Sequence, residues 1–149
     1  MKPETLEIVT KEVIETQQVG FFLAEEIIKG GLRRKKAMVI GLEGELGSGK
    51  TTFVQGLAKG LGIKEKITSP TFVILKKYEI RNTNFYHIDC YRLNSAQELL
   101  DLGFKEIIIQ SENLVVIEWA ERVRKILLRD TLWIKFEHFN ENKRGITIK

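Results

Sequence analysis

Apolar positions along this chain follow two periods: short runs that alternate or are apolar throughout, as strands are, and longer stretches that repeat every three to four residues, as helices do. Thr5 to Thr10 alternates and predicts a strand. Gly20, Leu23, Ala24, Ile27 and Ile28 then share one helical face, which stops at Gly30-Gly31. Ala37 to Leu42 carries no polar side chain, the pattern of a strand covered on both faces in a parallel sheet. Phe53, Val54, Leu57, Ala58 and Leu61 mark a second helix that Gly62 closes.

Phe72 to Tyr78 and Phe85 to Asp89 predict two further strands, joined through the polar stretch Arg81 to Asn84 as a hairpin with a longer loop. Ser95, with Glu98 three residues on, has the spacing of a capping box and opens a short helix ending near Gly103. Leu114 to Ile117 predicts another buried strand, Glu118 to Lys125 a short helix, and Leu132 to Phe136 and Ile146 to Ile148 the closing strands. The order predicts one three-layer α/β domain over residues 1–149, its central sheet mixed and mostly parallel.

Composition narrows the class without naming a function. Hydrophobic residues at 43%, charged residues at 30% and only two prolines argue against a disordered or fibrous chain. Cys90 is the single cysteine, so no intramolecular disulfide can form, and its neighbours lack the spacing of a zinc site. No apolar run approaches the ~18 residues of a membrane span, and the start MKPETLEIVT has no basic-then-apolar signal pattern. A cytoplasmic protein with no membrane partner is expected. The net charge of +4 suits a polyanionic partner, and the densest basic run, Arg33 to Lys36, reads either as a solvated turn or as an RNA contact.

The chemistry is concentrated in Gly44-Glu45-Leu46-Gly47-Ser48-Gly49-Lys50-Thr51, which fits G-x-x-x-x-G-K-[ST] between an apolar strand and an amphipathic helix. Glycines let backbone N–H groups curl around phosphate oxygens, and the helix N-terminus adds partial positive charge. Lys50 then reaches the β and γ phosphates of ATP, and the Thr51 hydroxyl binds magnesium. Leu114 to Glu118 is an apolar strand ending in a carboxylate, the pattern by which such enzymes set an acid beside the metal. In Phe85 to Arg92, period-two alternation puts His87, Asp89 and Tyr91 on one face. Asp89 is the candidate to orient water or hold magnesium through its hydration shell, and Arg92 to pair with a carboxylate or phosphate. His87 and Tyr91 read as packing or hydrogen-bonding residues outside catalysis. Thr68 to Phe72 reads either as a loop that senses the γ-phosphate or as a plain turn before a strand, and Trp119 as a core aromatic, a base-stacking group or a partner contact.

Taken in order, GELGSGKTT (Gly44 to Thr52), SPTF (Ser69 to Phe72), HIDCYRL (His87 to Leu93), ELLDLGF (Glu98 to Phe104) and VIEWAE (Val116 to Glu121) resemble the bacterial TsaE family, also called YjeE. The resemblance spans about residues 5 to 149. It implies an ATPase of tRNA threonylcarbamoyladenosine synthesis that works with TsaD and TsaB type proteins and meets tRNA through that complex. It also implies ATP binding by Glu45, Leu46, Gly47, Ser48, Gly49, Lys50, Thr51 and Thr52, with Lys50, Asp89 and Glu118 in catalysis and Thr51, Glu118 and Asp89 around Mg2+. Ser69 and Thr71 become a switch-like loop, and residues near Glu12, Val13, Thr16 and Arg144 surround the nucleotide. Departures are small: Ala120 stands where the family's E-W-P-E has proline, the L-P-x-D turn reads Leu128-Arg129-Asp130, and Arg33 to Lys36 looks inserted. Two other functions fit the glycine loop, a small kinase and a module whose ATP binding only sets a conformation; against the kinase, no arginine-rich lid segment follows the middle of the chain.

Overall fold

A computed structural model of the chain describes residues 5–30, 34–68, 74–80 and 83–149. The apolar run of the first half becomes β2 (Met38–Glu43), and β5 (Asn113–Glu118) lies beside it in parallel, Ile40 opposite Val116. Strand β6 (Leu132–His138) pairs with the other side of β2, and β4 (Thr83–Asp89) with the other side of β5, again in parallel. Antiparallel strands finish both edges: β3 (Leu75–Ile80) on β4, and β7 (Arg144–Ile148) then β1 (Leu6–Thr10) beyond β6. The result is one seven-stranded sheet ordered β1-β7-β6-β2-β5-β4-β3, parallel in its centre.

Both faces of the centre are covered, which explains why β2 and β5 have no polar alternation. Ile40 and Leu42 of β2, with Leu114 and Val116 of β5, pack with Ala24 and Ile27 of α1 (Val13–Gly30) and with Phe53, Val54 and Leu57 of α2 (Lys50–Gly60). Val39, Val115 and Ile117 point the other way, into a second core with Leu99 of α3 (Ala96–Asp101), Phe104 and Ile108 of α4 (Phe104–Ile108), and Ala120 and Val123 of the 3-10 helix Ala120–Ile126. Three layers result, as the sequence pattern predicts.

The differences from expectation are local. The β3–β4 ladder runs on to Ile80 opposite Thr83, so the hairpin loop is shorter than expected and Thr83 and Asn84 are strand residues. The start of the predicted strand at Phe72 lies outside the described residues. Ser95 stands at the N-cap of α3 without a side-chain cap bond, and the Glu98 carboxylate instead accepts the N–H of Asn94 at 3.0 Å, one residue earlier than a capping box requires. Helix α4 has no counterpart in the sequence reading, which ended the helical pattern at Gly103; that glycine, at φ 88°, turns the chain so that Phe104 starts a new one.

Helices α1 and α2 approach backbone to backbone. A Cβ on Gly20 would meet Phe53 O and Leu57 N, and one on Gly56 would meet Gln17 O. This contact keeps the first turns of α1 beside the glycine loop. Gly56→Ala must push the helices apart, and we expect a loss of about 2 kcal/mol, the usual size of core overpacking, read as a melting temperature roughly 4–8 °C lower. An unchanged melting temperature would contradict the close helix contact.

Candidate functional site

At its C-terminal edge, β2 runs directly into the glycine loop. Gly44 has φ 148°, and a Cβ there would lie 2.6 Å from Phe136 O, so only glycine fits. Gly49, the N-cap of α2, is also left-handed at φ 106°. Lys50 opens the helix and folds back over its own loop, its Nζ donating to Glu45 O at 2.9 Å, to Gly44 O and to Ser48 Oγ. The same ammonium lies 4.1 Å from the centroid of the Trp119 ring. Burial lowers the Lys50 pKa, while the carboxylates of Glu118, Glu121, Asp89 and Glu45 pull it back up.

Opposite the loop, two parallel strands end in acids. Asp89 and Glu118 are register partners on β4 and β5. Glu118 is buried, and each of its oxygens has a partner: Thr51 Oγ1–H donates to Oε1 at 2.8 Å and His87 Nε2 lies 2.6 Å from Oε2. Asp89 Oδ1 accepts the N–H of Tyr91 at 2.9 Å. After Glu118 the chain turns sharply through Trp119, the single non-glycine residue with positive φ (57°) among those described. This turn lays the indole between Lys50 and Tyr91; the Trp119 and Tyr91 ring centroids are 4.9 Å apart, and the Arg122 guanidinium is 5.7 Å from the indole.

Most of these groups line one cavity of about 510 Å³, within the usual range for small-molecule and cofactor sites. Its walls include Leu46 to Thr52, Asp89, Tyr91, Arg92, Glu118 and Trp119. Its wall also includes Glu12, just before α1, Val13 and Thr16 in the first turn of α1, Glu141 and Asn142 between β6 and β7, and Arg144 at the start of β7. There, Thr16 Oγ1 bonds Thr10 Oγ1 at 2.8 Å, which fixes the β1–α1 corner, and Arg144 Nη1 donates to Asn140 O at 2.8 Å.

The sequence-predicted residues Glu45 to Thr52, Asp89, Glu118, Trp119, Val13 and Arg144 therefore come together. Glu45 alone of these is absent from the cavity wall, and it holds Lys50 through its carbonyl. Ser69 and Thr71 lie outside the described residues, as does Arg33; of the basic run, Arg34 pairs with Asp130 at 3.7 Å on the surface. His87 and Tyr91 are the residues that sequence reasoning set aside; Tyr91 lines the cavity, and His87 lies behind it. His87 is fully buried on Glu118, and the available signal was its position two residues before Asp89, on the same strand face.

The family model described as "Threonylcarbamoyl adenosine biosynthesis protein TsaE" matches residues 10–146. The chain belongs to the TsaE family of tRNA threonylcarbamoyladenosine biosynthesis. Relatives named "tRNA threonylcarbamoyladenosine biosynthesis protein TsaE" include that of Treponema pallidum, 44% identical over 76% of this chain and 83% of its own. The Bacillus subtilis protein of the same name is 39% identical over 76% of this chain and 70% of its own. Among solved structures, Bacillus subtilis YdiB superposes with a TM-score of 0.78 at 30% identity, covering 99% of this chain and 86% of that one. Membership in the TsaE family places the chain in a pathway that implies partner proteins, and a nucleotide-binding glycine loop is consistent with it. No helix among the described residues is long and apolar enough to cross a membrane.

The last residue of the TsaE motif VIEWAE, Glu121, is under tension. Burial raises its carboxyl above the ordinary carboxylate range and Glu43 adds to this, against the lowering effect of its own backbone N–H, that of Gly44, and Lys50. A carboxyl raised in the folded state holds more protons there than in the unfolded chain, so stability falls as pH climbs through that window. We expect Glu121→Gln to raise the melting temperature at pH 7, and the gain to vanish below about pH 4, where the carboxyl is protonated in both states. A lower melting temperature at pH 7 would contradict this.

Proposed function

We propose that this TsaE-family chain is a single P-loop domain acting as a magnesium-dependent ATPase, and that its ATP binding and hydrolysis cycle TsaB and TsaD type proteins in threonylcarbamoyladenosine formation. The observation that carries the reading is the bond from Thr51, on the first turn of α2, to Glu118, with Asp89 at the next strand end. A hydroxyl that donates to a carboxylate keeps its lone pairs for a metal, and the loop N–H groups and Lys50 stand on the other side.

The donor set fits magnesium. Among the described residues no group of three or more His, Cys, Asp or Glu side chains is arranged to hold a metal ion. Magnesium needs none, since it is usually held by one or two protein oxygens together with substrate phosphates and water. When bound, it would offset charge on the β and γ phosphates. Lys50 would exchange the carbonyls of Gly44 and Glu45 for phosphate oxygens, a favourable trade for an ammonium whose charge burial disfavours. Glu118 and Asp89 would orient and deprotonate the attacking water between two fixed strand ends. Val13 and Arg144 would flank the nucleotide from the wall of the cavity. Trp119 lies against the Lys50 ammonium, and movement of that ammonium onto phosphate would expose an aromatic face to a partner.

Three substitutions test this. Lys50→Ala should weaken ATP affinity roughly 10- to 100-fold, the worth of hydrogen bonds to a charged group, without unfolding the chain. Glu118→Gln and Asp89→Asn should each lower turnover by roughly 100- to 10,000-fold, the range of general base catalysis, while ATP still binds. Turnover is measured for the full chain alone and with TsaB and TsaD, and we expect the partners to accelerate it. Unchanged turnover in the two acid variants would overturn the reading of the strand ends.

A further inference from the structure

His87 stands one layer behind the candidate acid. It is fully buried on β4, between Lys76 of β3 and Val116 of β5 in the ladder, so its backbone is fixed from both sides. Its Nε2 lies 2.6 Å from Glu118 Oε2, a short hydrogen-bond contact with a carboxylate oxygen. The other Glu118 oxygen takes the Thr51 hydroxyl at 2.8 Å.

We propose that His87 is a positioning residue of this site: its Nε2–H and the Thr51 hydroxyl grip the two oxygens of Glu118 and fix the plane of the carboxylate, leaving the remaining lone pairs aimed at the cavity. The proposal rests on the reading of Glu118 as the acid beside magnesium and water. A glutamate has three side-chain torsions, and a carboxylate tied at one oxygen alone still swings. Tied at both, and open only on its cavity side, it does not. Outer groups of this kind act on a metal-side ligand by orienting it.

The proton on the ring follows from the same contacts. A carboxylate only accepts, so the nitrogen facing it carries hydrogen. His87 Nδ1 is buried with no hydrogen-bond partner among the described residues. A bare lone pair is tolerated there more readily than an unpaired N–H, which places the hydrogen on Nε2.

The chain has only two histidines, so long-range nitrogen–proton NMR of the full protein without nucleotide separates buried His87 from exposed His138. We expect a slowly exchanging proton on Nε2, absent from His87→Gln. A ring protonated at Nδ1 alone would overturn the proposal.

Two substitutions then separate positioning from packing. Gln sets an amide N–H close to where Nε2 stands, whereas Asn reaches only as far as Nδ1. We expect His87→Asn to lower turnover, or the magnesium-dependent gain in nucleotide affinity where turnover is slow, by roughly 10- to 100-fold, with affinity in EDTA within about threefold of wild type. His87→Gln should recover most of that loss. Wild-type behaviour of His87→Asn, or equal loss in both variants, would overturn the proposal. Glu118→Gln measured alongside distinguishes the two levels. An impaired Glu118→Gln beside a normal His87→Asn removes this inference alone, and an unimpaired Glu118→Gln removes the functional reading beneath it.

Discussion

One hydrogen bond ties the two halves of the site together, from Thr51 on the first helical turn after the glycine loop to Glu118 at the end of β5. It joins elements far apart in sequence, and its geometry depends on the parallel centre of the sheet. With β2, β5 and β4 parallel, all their C-terminal ends lie on one edge, where the loop after β2 faces the acids that end the other two. An antiparallel neighbour in the place of β5 would bring its N-terminal end to that edge. The position of ligand sites in open α/β sheets follows from the same constraint.

That edge is costly to build. Glu118 and Lys50 are both buried, and a buried charge must find partners or neutralise. Glu118 has two donors. Lys50 has backbone carbonyls, a hydroxyl and the face of Trp119, so its charge is shared among groups that a phosphate can replace. The left-handed Trp119 belongs to the same design: an extended backbone after Glu118 would carry the chain on beyond the sheet, whereas the turn brings the indole back over the ammonium and starts the 3-10 helix that closes the second core.

Much of this was legible in the residues. The all-apolar runs Ala37 to Leu42 and Leu114 to Ile117 became neighbouring central strands because only two covered faces tolerate such runs. GELGSGKT marked the loop, and alternation in Phe85 to Arg92 put His87 and Asp89 on the same face. Sequence alone did not show which strands were neighbours. The pairing of Asp89 with Glu118, and the bond from His87 to Glu118, are register facts of β4 against β5, and no local pattern encodes them. His87 was set aside because a histidine in a strand is most often a packed or hydrogen-bonded residue, which it also is here. The missed helix α4 has a simpler cause, since Gly103 reads as a stop and serves as a hinge between two short helices.

The central claim is that this edge of the sheet hydrolyses ATP. Phosphorus NMR of ATP incubated with the full chain, magnesium, TsaB and TsaD follows every phosphorus-containing product at once. The account predicts ADP and inorganic phosphate in equal amounts, formed by wild type, stopped by EDTA and absent with Glu118→Gln. Phosphate transferred to an acceptor would indicate a kinase, and ATP left intact while the protein remains nucleotide-bound would indicate a binding module; either result would contradict it.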